Sequence, residues 1–515
     1  MSQNYQGPPQ QGNFPQGPQQ AQPQGPQPQL PPPAWQQGAP VPPNGPVPTK
    51  RKSKKTMIIA SILALALLAG GGIIAWSLLR GAAPAAAKGI PSNAVAVLEV
   101  NLNPAVGDKL AVKDLAMKFP YLKEQSSDAG DDYKKAVWST LAKLDEHVPD
   151  YESEVKPWLG DSIAVAALPA KESGSRYASS SFVLSFQVSN KEAAKSFADK
   201  HFTDSKTVFV DDLMVVTNDT DSDISESSLK DNITSVEAYK ADMGKLGDGY
   251  LATAWLSSDL IKQVVGSQST TEITDLIESR SAMGLKVQDG ALALRSITWQ
   301  KDEIKDRGEN VKDLAGSMPG DWLGSFTFSL SPNLVDKMWE KFSSMPSSTQ
   351  RQLEDVGISS ADDLRALFGS QLSFAVSTGE MQSFQFGIKV RTKDPEKHKS
   401  IVEKIAKNTS VKNLETKVDG DTVITTVGGS PESFANPGDK LSGNSEHEKL
   451  TKGIDDPQFS AWVNAPRIIE LVDRSHSNGV PAQVKENLEP ISGVGMVAGK
   501  IDDHYSDSWL RVGTK

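Results

Sequence analysis

The chain has 515 residues, a net charge of −10, 38% hydrophobic residues and no cysteine. The lack of cysteine excludes disulfide bonds, thiolate zinc sites, iron–sulfur ligation and a cysteine nucleophile. Residues 1–49 contain 15 Pro, 13 Gln and 6 Gly but no Lys, Arg, Asp or Glu, so this tail cannot form a core and is predicted to be disordered.

A basic stop at residues 50–56 precedes an uncharged apolar run at residues 57–79. A helix of that length spans about 34 Å, enough to cross a bilayer. Five basic residues stand before the run, and only Arg80 and then Lys88 follow it. The positive-inside rule therefore predicts a single-pass plasma-membrane protein whose N-terminus is cytoplasmic and whose C-terminal region is extracytoplasmic.

A cleavable signal peptide is the competing interpretation, because Ala85 and Ala87 form an A-x-A pattern before Lys88. Signal peptides have shorter apolar regions and short N-terminal regions, so an uncleaved signal anchor is favoured. Residues 80–87 are then a linker.

Charge separates the two sides of the predicted span. Six of the 54 Lys and Arg residues lie before residue 81, which leaves 48 against all 64 Asp and Glu and a net charge of −16 beyond it. Such a charge argues against nucleic acid as a partner and against adhesion to anionic lipid.

The region after residue 80 contains an internal repeat. Residues 90–110 align with residues 318–338 over 21 columns without a gap. The identical pairs are Pro91 and Pro319, Leu102 and Leu330, Pro104 and Pro332, Asp108 and Asp336, and Lys109 and Lys337. Further matches follow in the same order, so two related modules are predicted at residues 88–305 and 315–515. Chance periodicity is the alternative.

Alternating apolar residues predict the strands, and capping patterns predict the helices. The predicted strands are Val95–Val100, Ile163–Leu168, Phe182–Val188, a hairpin over Val208–Val216 with its turn at Asp211 and Asp212, Tyr250–Leu256, Leu372–Val376, Phe384–Val390 and Phe459–Val463. The predicted helices include one capped by Ser189 and Glu192, one at Asp259–Val265, one opened by Asp394 and Pro395, and one at Pro466–Val472. The predicted fold class is α+β: two related modules, each a mainly antiparallel sheet with helices on one face, after the disordered tail and one transmembrane helix.

This arrangement resembles a family of actinobacterial single-pass membrane-anchored proteins known only as a domain of unknown function. The resemblance is carried by the tail, the basic stop, the single span, the segment IPSNAVAVLEVNLNPAVGDKL from Ile90 to Leu110, and MKFP from Met117 to Pro120. It implies a cell-envelope location and an extracytoplasmic domain over about residues 85–515. The family contributes no catalytic residues.

The sequence contains no complete motif of a known catalytic or metal-binding site. The six histidines (His147, His201, His398, His447, His476 and His504) have no metal-ligand spacing. Asp219, Asp221 and Asp223 resemble the start of an EF-hand loop, but Ile224 and Lys230 replace its required Gly and Glu. Ser227 and Lys230 form S-x-x-K without the partner motifs of penicillin-binding enzymes.

Trp255 and Trp462 occupy matching places in the two modules, and packing in the core is favoured over a ligand platform for both. Catalytic, cofactor and metal sites are therefore predicted to be absent, and the protein is not expected to be an enzyme. The leading hypothesis is a membrane-tethered binding or structural protein of the bacterial cell envelope with an unknown protein or lipid partner. A carrier or sensor of an apolar, lipid-like ligand and a hydrolase without a recognisable motif are the alternatives.

Overall fold

The computed structural model describes residues 85–127, 132–144, 148–169, 181–260, 278–304, 308–378, 384–409, 411–475 and 481–515. They belong to one compact unit. The predicted tail, basic stop and membrane span lie outside the described residues. Within the described ranges, no helix has the length and apolar character needed to cross a membrane.

Among the described residues, the first half of the fold has eight strands and five helices longer than one turn. The strands are β1 (Ala96–Asn101), β2 (Leu159–Ala167), β3 (Phe182–Val188), β4 (Lys206–Val210), β5 (Leu213–Thr217), β6 (Ala252–Leu256), β7 (Ser279–Gln288) and β8 (Ala291–Gln300). The helices are α1 (Val106–Met117), α2 (Pro120–Ser127), α3 (Tyr133–Leu144), α4 (Lys191–His201) and α5 (Glu237–Leu246).

The second half also contributes eight described strands, together with nine helices. The strands are β9 (Gly324–Ser329), β10 (Gln371–Thr378), β11 (Phe384–Arg391), β12 (Leu414–Asp419), β13 (Thr422–Val427), β14 (Phe459–Val463), β15 (Ile491–Lys500) and β16 (Tyr505–Thr514). The helices are α6 (Lys312–Gly316), α7 (Pro332–Ser343), α8 (Ser347–Asp355), α9 (Ala361–Phe368), α10 (Pro395–Thr409), α11 (Pro431–Ala435), α12 (Ser445–Thr451), α13 (Ala465–Ser475) and α14 (Ala482–Leu488).

The strands form one continuous antiparallel sheet, with the order β12-β13-β11-β10-β9-β14-β15-β16-β8-β7-β6-β1-β2-β3-β5-β4. The prediction of a separate sheet in each module is therefore wrong. β8 and β16 pair along their length, from Ala291 with Gly513 to Trp299 with Tyr505. This pairing satisfies the backbone groups of two strands that would otherwise be exposed edges.

The strand order is the same in the two halves. Reading inward from each edge, the first half runs β4-β5-β3-β2-β1-β6-β7-β8 and the second runs β12-β13-β11-β10-β9-β14-β15-β16. Each strand of the first half therefore has a counterpart at the same place in the second half.

The sheet is covered on both faces at β2 and β3, so the prediction of helices on one face is wrong. Val165 and Leu184 pack in one hydrophobic cluster with Trp138 of α3. Ala164 and Val183, the adjacent residues of the same strands, pack in a second cluster. Successive residues of a strand point to opposite faces, and here both sets are apolar because both faces are covered.

Several local predictions are confirmed. β3 and β14 have the predicted bounds, and the turn between β4 and β5 lies at Asp211 and Asp212, with φ of 49° at Asp211. Asp394 caps α10, its Oδ1 accepting the N–H of Lys397 at 3.2 Å. The helix predicted at Asp259–Val265 lies outside the described residues from residue 261 onward.

Other local predictions need correction. The N-cap of α4 is Asn190 instead of Ser189, because the Asn190 side chain accepts the N–H of Ala193 at 3.1 Å. The β7–β8 hairpin was not predicted. Its turn is Asp289-Gly290, with φ of 54° and 72°, and this dipeptide is the signal that indicates such a turn.

Candidate ligand-binding face

One face of the sheet carries apolar side chains that the described residues leave partly exposed. Along β15 and β8 the side chains alternate between buried and partly exposed, with Ala291, Ala293 and Ile297 fully buried on one side. On the other side of the sheet Leu285, Val287 and Val390 are buried, but many apolar residues are at least partly exposed, and these form what we call the apolar face. They are Ile388, Phe386, Val376, Phe374, Phe328, Phe326, Phe459, Ala461, Val463, Met496, Ala498, Leu510, Leu294, Met283, Ala254 and Leu98.

The apolar face extends across ten strands, from β11 to β1, which is about 43 Å at the usual strand spacing. Its remaining positions in the central strands are mainly Ser and Thr, such as Ser296 and Ser508. Among the described residues of these strands, Lys500 alone brings a charge to this side, at the end of β15, where its Nζ donates to Ile304 O and Asp503. Exposed apolar surface on this scale is characteristic of a binding surface.

Five phenylalanines of the second half form a ladder at one end of the apolar face. Phe326 and Phe374 are cross-strand partners, with ring centroids 5.2 Å apart. Phe328 continues the ladder on β9, and Phe386 and Phe384 continue it on β11, with centroid separations of 6.0 to 6.2 Å within each strand and 5.8 Å from Phe374 to Phe386. Phe384 is 55% exposed and Phe326 is 39% exposed.

Only part of the corresponding surface is buried in the first half, because Leu98 and Val100, the counterparts of Phe326 and Phe328, are partly exposed. Val165 of β2 and Phe182 and Leu184 of β3 lie within a hydrophobic cluster that includes Trp138 of α3. In the second half the helices pack against one another instead, through Val335, Leu364 and Ile401, and α8 has no buried residue. The two halves therefore differ in cover: among the described residues, α3 closes over this side of β2 and β3, whereas the corresponding helical cluster of the second half includes no strand residue.

The opposite face carries the charged groups, and these are buried and paired. Arg295 of β8 donates to Asp507 of β16, with the closest contact at 2.7 Å. Asp242 of α5 accepts from Trp255 Nε1 at 2.9 Å, from Arg280 Nε at 2.6 Å and from the Tyr505 hydroxyl at 2.9 Å. Buried charges are tolerated only when paired in this way. These contacts link the two halves across the β8–β16 pair.

A separate set of contacts holds the segment that follows the predicted membrane span. Residues Ala86–Gly89 form a short 3₁₀ helix, and Ala86 and Ala87 are buried. The N–H groups of Ala85 and Ala86 donate to Ser162 Oγ at 3.0 Å each, and that of Ala87 donates to Glu99 Oε1 at 2.9 Å. The prediction of a linker at residues 80–87 is therefore wrong for residues 85–87, which small side chains allow to pack inside the fold.

Burial raises the pKa of Glu99 to about 7, although the N–H groups of Ala87 and Ala86 and the charge of Lys88 act in the opposite direction. Burial likewise lowers the pKa of Lys389 in β11 to about 8. Lys389 Nζ donates to Ser317 O at 2.9 Å and to Ser317 Oγ at 3.1 Å. Glu99 and Lys389 lie in different halves of the sheet.

Two cavities that are lined by both charged and apolar residues occur at corresponding places, next to the ends of β1 and β9. The first has a volume of about 490 Å³ and is lined by Lys109 and Lys134, and the second has about 590 Å³ and is lined by Arg365 and Lys397. Their charges pair within the fold: Lys134 Nζ lies 2.9 Å from Asp161 Oδ1. Although burial alone would raise it, the hydrogen bond from Lys134 holds the pKa of Asp161 below its ordinary value.

The structure does not gather the histidines into one site. His201 Nε2 lies 3.3 Å from Glu154 Oε1, and His398 Nδ1 lies 3.2 Å from Ala366 O. His447 is buried in α12, and burial lowers its pKa to about 4. His504 Nδ1 lies 3.1 Å from Gln300 O. His147 and His476 lie outside the described residues.

The remaining sequence candidates are in surface loops or in the core. Asp219, Asp221 and Asp223 follow β5, and in the described part of the chain no group of three or more His, Asp or Glu residues could hold a metal ion. Ser227 Oγ lies 3.0 Å from Ser225 Oγ, and Lys230 is exposed. Trp255 and Trp462 are buried on the face opposite the phenylalanine ladder, as predicted for packing residues.

Sequence reasoning missed the apolar face. The alternation of Phe326 with Phe328, and of Phe384 with Phe386, predicts strands, but buried and open strands share that pattern. The sequence does contain one sign of the apolar face: Phe326 and Phe328 stand where the first half has Leu98 and Val100.

The fold and this face define an α+β protein built on a large antiparallel sheet with one apolar side left partly open. Residues 58–212 match a protein family described as a protein of unknown function (DUF3352). That match covers less than a third of the chain and ends at the β4–β5 turn. No curated protein and no solved structure matches the chain.

Proposed function

We propose that this protein is a membrane-tethered, extracytoplasmic binding protein of the bacterial cell envelope, and that its ligand is an apolar molecule with an acyl-chain-like body held on the apolar face. The observation that carries this proposal is the exposed phenylalanine ladder, in which Phe374 and Phe386 occupy the places of the buried first-half residues Val165 and Phe182. An apolar ligand would remove Phe326 and Phe384 from water, at about 25 cal/mol for each Å² covered.

The halves are best explained by duplication of an ancestral module, since they share one strand order and an ungapped repeat at the start of β1 and β9. After a duplication, one copy can keep a closed core while the other copy leaves its sheet open to a ligand. The predicted span at residues 57–79 supplies the tether, and the basic residues before it support an extracytoplasmic position.

Catalysis is not part of the proposal. Glu99, Lys389 and His447, the described carboxyl, amino and imidazole groups whose pKa values burial shifts most strongly, lie on separate elements and do not form a common cleft. A hydrolytic site would bring such groups together around a bound substrate.

The test is binding of a fluorescent fatty acid to the full chain, purified in mild detergent and reconstituted into nanodiscs. Phe326→Asp places a charge in the ladder, and Ile501→Asp is the matched control because Ile501 is 38% exposed and lies outside the ladder. We expect Phe326→Asp alone to weaken binding, by about tenfold or more, since a buried unpaired carboxylate costs several kcal/mol. Equal affinity in the two variants, or no binding by the unmodified chain, would refute the proposal.

A further inference from the structure

The point at which the chain enters the fold determines which end of the sheet is nearest the predicted membrane span. Five residues, 80–84, separate the end of that span from Ala85. The six steps from residue 79 to residue 85 reach at most about 22 Å when fully extended. Ala85 is fixed by its hydrogen bond to Ser162 Oγ, so the surroundings of Ser162 must lie close to the bilayer.

Ser162 marks one end of the sheet. It pairs with Asn101 at the end of β1, and the strand registers place Ala252, Ala291 and Gly513 along the same end. We call this the tether end. β15 begins here, since Gly493 pairs with Gly513, and finishes at the opposite end.

Helices α1, α2 and α14 cover the tether end. The buried side of α1, which includes Val112 and Leu115, packs on Leu251 and Val287. Lys118 Nζ, just after α1, donates to Thr514 Oγ1 at 2.8 Å. The N–H of Tyr121 in α2 donates to Asn487 Oδ1 of α14 at 3.0 Å. The three helices are therefore joined to each other and to the strand ends.

These helices expose large apolar side chains. Leu110 and Met117 lie on the side of α1 that faces away from its packing partners, and they are 39% and 45% exposed. Tyr121 of α2 and Val484 and Leu488 of α14 are similarly exposed. When apolar side chains on surface helices lie close to a bilayer, they can be buried in its interface.

We infer that these five residues form a membrane-docking surface, which rests on the outer leaflet of the bilayer that holds the anchor. The inference relies on the tether of the proposed function, and it adds an orientation that the tether alone does not determine. The net charge of −16 beyond residue 80 opposes electrostatic adhesion, so the contact is apolar. A short tether makes even a weak contact persist, because it keeps the surface at high effective concentration.

The test uses the full chain, which lacks cysteine, so each introduced thiol is unique. Leu488→Cys and Ile501→Cys are a matched pair: both side chains are 38% exposed, and the residues lie near opposite ends of β15, about 33 Å apart. Each is labelled with a nitrobenzoxadiazole probe in nanodiscs of phosphatidylcholine and phosphatidylglycerol containing a doxyl-lipid quencher. Met117→Cys provides a second site on the proposed surface.

We expect blue-shifted emission and lipid-dependent loss of intensity at positions 488 and 117, and neither effect at 501, in discs that hold one copy. Equal signals at the three positions would overturn the docking surface while leaving the tether intact. Protection that requires two copies in a disc would show that the surface binds a second chain instead. Failure of the chain to remain in the discs would refute the tether, and with it the docking surface.

Discussion

The two buried tryptophans at corresponding places in the sheet differ in one interaction, and this allows a quantitative test of the packing. Trp255 in β6 and Trp462 in β14 are 4% and 3% exposed. Each ring meets another ring edge to face, Tyr239 at 5.6 Å for Trp255 and His447 at 5.7 Å for Trp462. Trp255 Nε1 donates to Asp242, whereas Trp462 Nε1 has no hydrogen-bond partner among the described residues.

Replacement by Phe removes a similar volume at both sites, so the packing cost is shared. Trp255→Phe also removes a hydrogen bond to a buried carboxylate, which contributes about 1.5 to 3 kcal/mol. Trp462→Phe removes an unsatisfied N–H, which recovers about 1 to 3 kcal/mol. We therefore expect Trp255→Phe to lower the free energy of unfolding by roughly 3 kcal/mol more than Trp462→Phe.

The measurement is urea unfolding of the two purified full-length variants in the same mild detergent, followed by far-ultraviolet circular dichroism. Equal m-values would show that the comparison concerns the folded state. The reasoning is refuted if the two substitutions cost the same, because Trp462 Nε1 would then have a polar partner, such as a bound water.

Three further predictions concern buried groups. Burial raises the pKa of Glu99 from 4.5 to about 7, so the folded state keeps a proton that the unfolded state loses. The free energy of unfolding should therefore fall by up to about 3 kcal/mol between pH 4.5 and 7. Glu99→Gln should flatten this pH dependence in urea titrations, and an unchanged slope would contradict the prediction. Burial lowers the pKa of His447 from 6.5 to about 4, so its effect on stability has the opposite pH dependence. The free energy of unfolding should fall by up to about 3 kcal/mol as the pH decreases from 6.5 toward 4. His447→Gln should remove that loss. Gly89→Ala should destabilise the fold by about 1 to 3 kcal/mol and expose the 3₁₀ segment to protease, because the added Cβ would collide with Ser185 Oγ. Gly107→Ala is the control and should be neutral, because the space around Gly107 is open.

The sequence predicts most strands because their residues alternate or are β-branched. Phe182–Val188 and Phe459–Val463 have the predicted bounds for this reason. Predicting how the strands assemble is harder, because the pairing of β8 with β16 joins residues more than 200 positions apart, and nothing local in either strand records it. The sequence of each strand alone is equally compatible with an edge strand or a central strand of a smaller sheet.

The apolar face and the burial of residues 85–87 could not be predicted from the sequence, for related reasons. Ala85 to Ala87 have small side chains, which suit a flexible linker and a packed 3₁₀ turn equally well. Phe326 and Phe384 read as core residues, and only the arrangement of the helices over the sheet decides whether they are covered. Such cover is a tertiary property, and it differs between two halves with the same strand order.

The central place of β16 also constrains how the chain acquires its fold. β16 contains residues Tyr505–Thr514 but sits between β15 and β8, in the middle of the sixteen strands. Until ribosomal synthesis reaches these residues, β8 has an open edge that is free to pair with other chains. A protein product that stops before Tyr505 would keep that edge permanently, and we expect it to aggregate or be degraded instead of forming a working half. The synthesis of β16 therefore determines whether the two halves can join into one sheet.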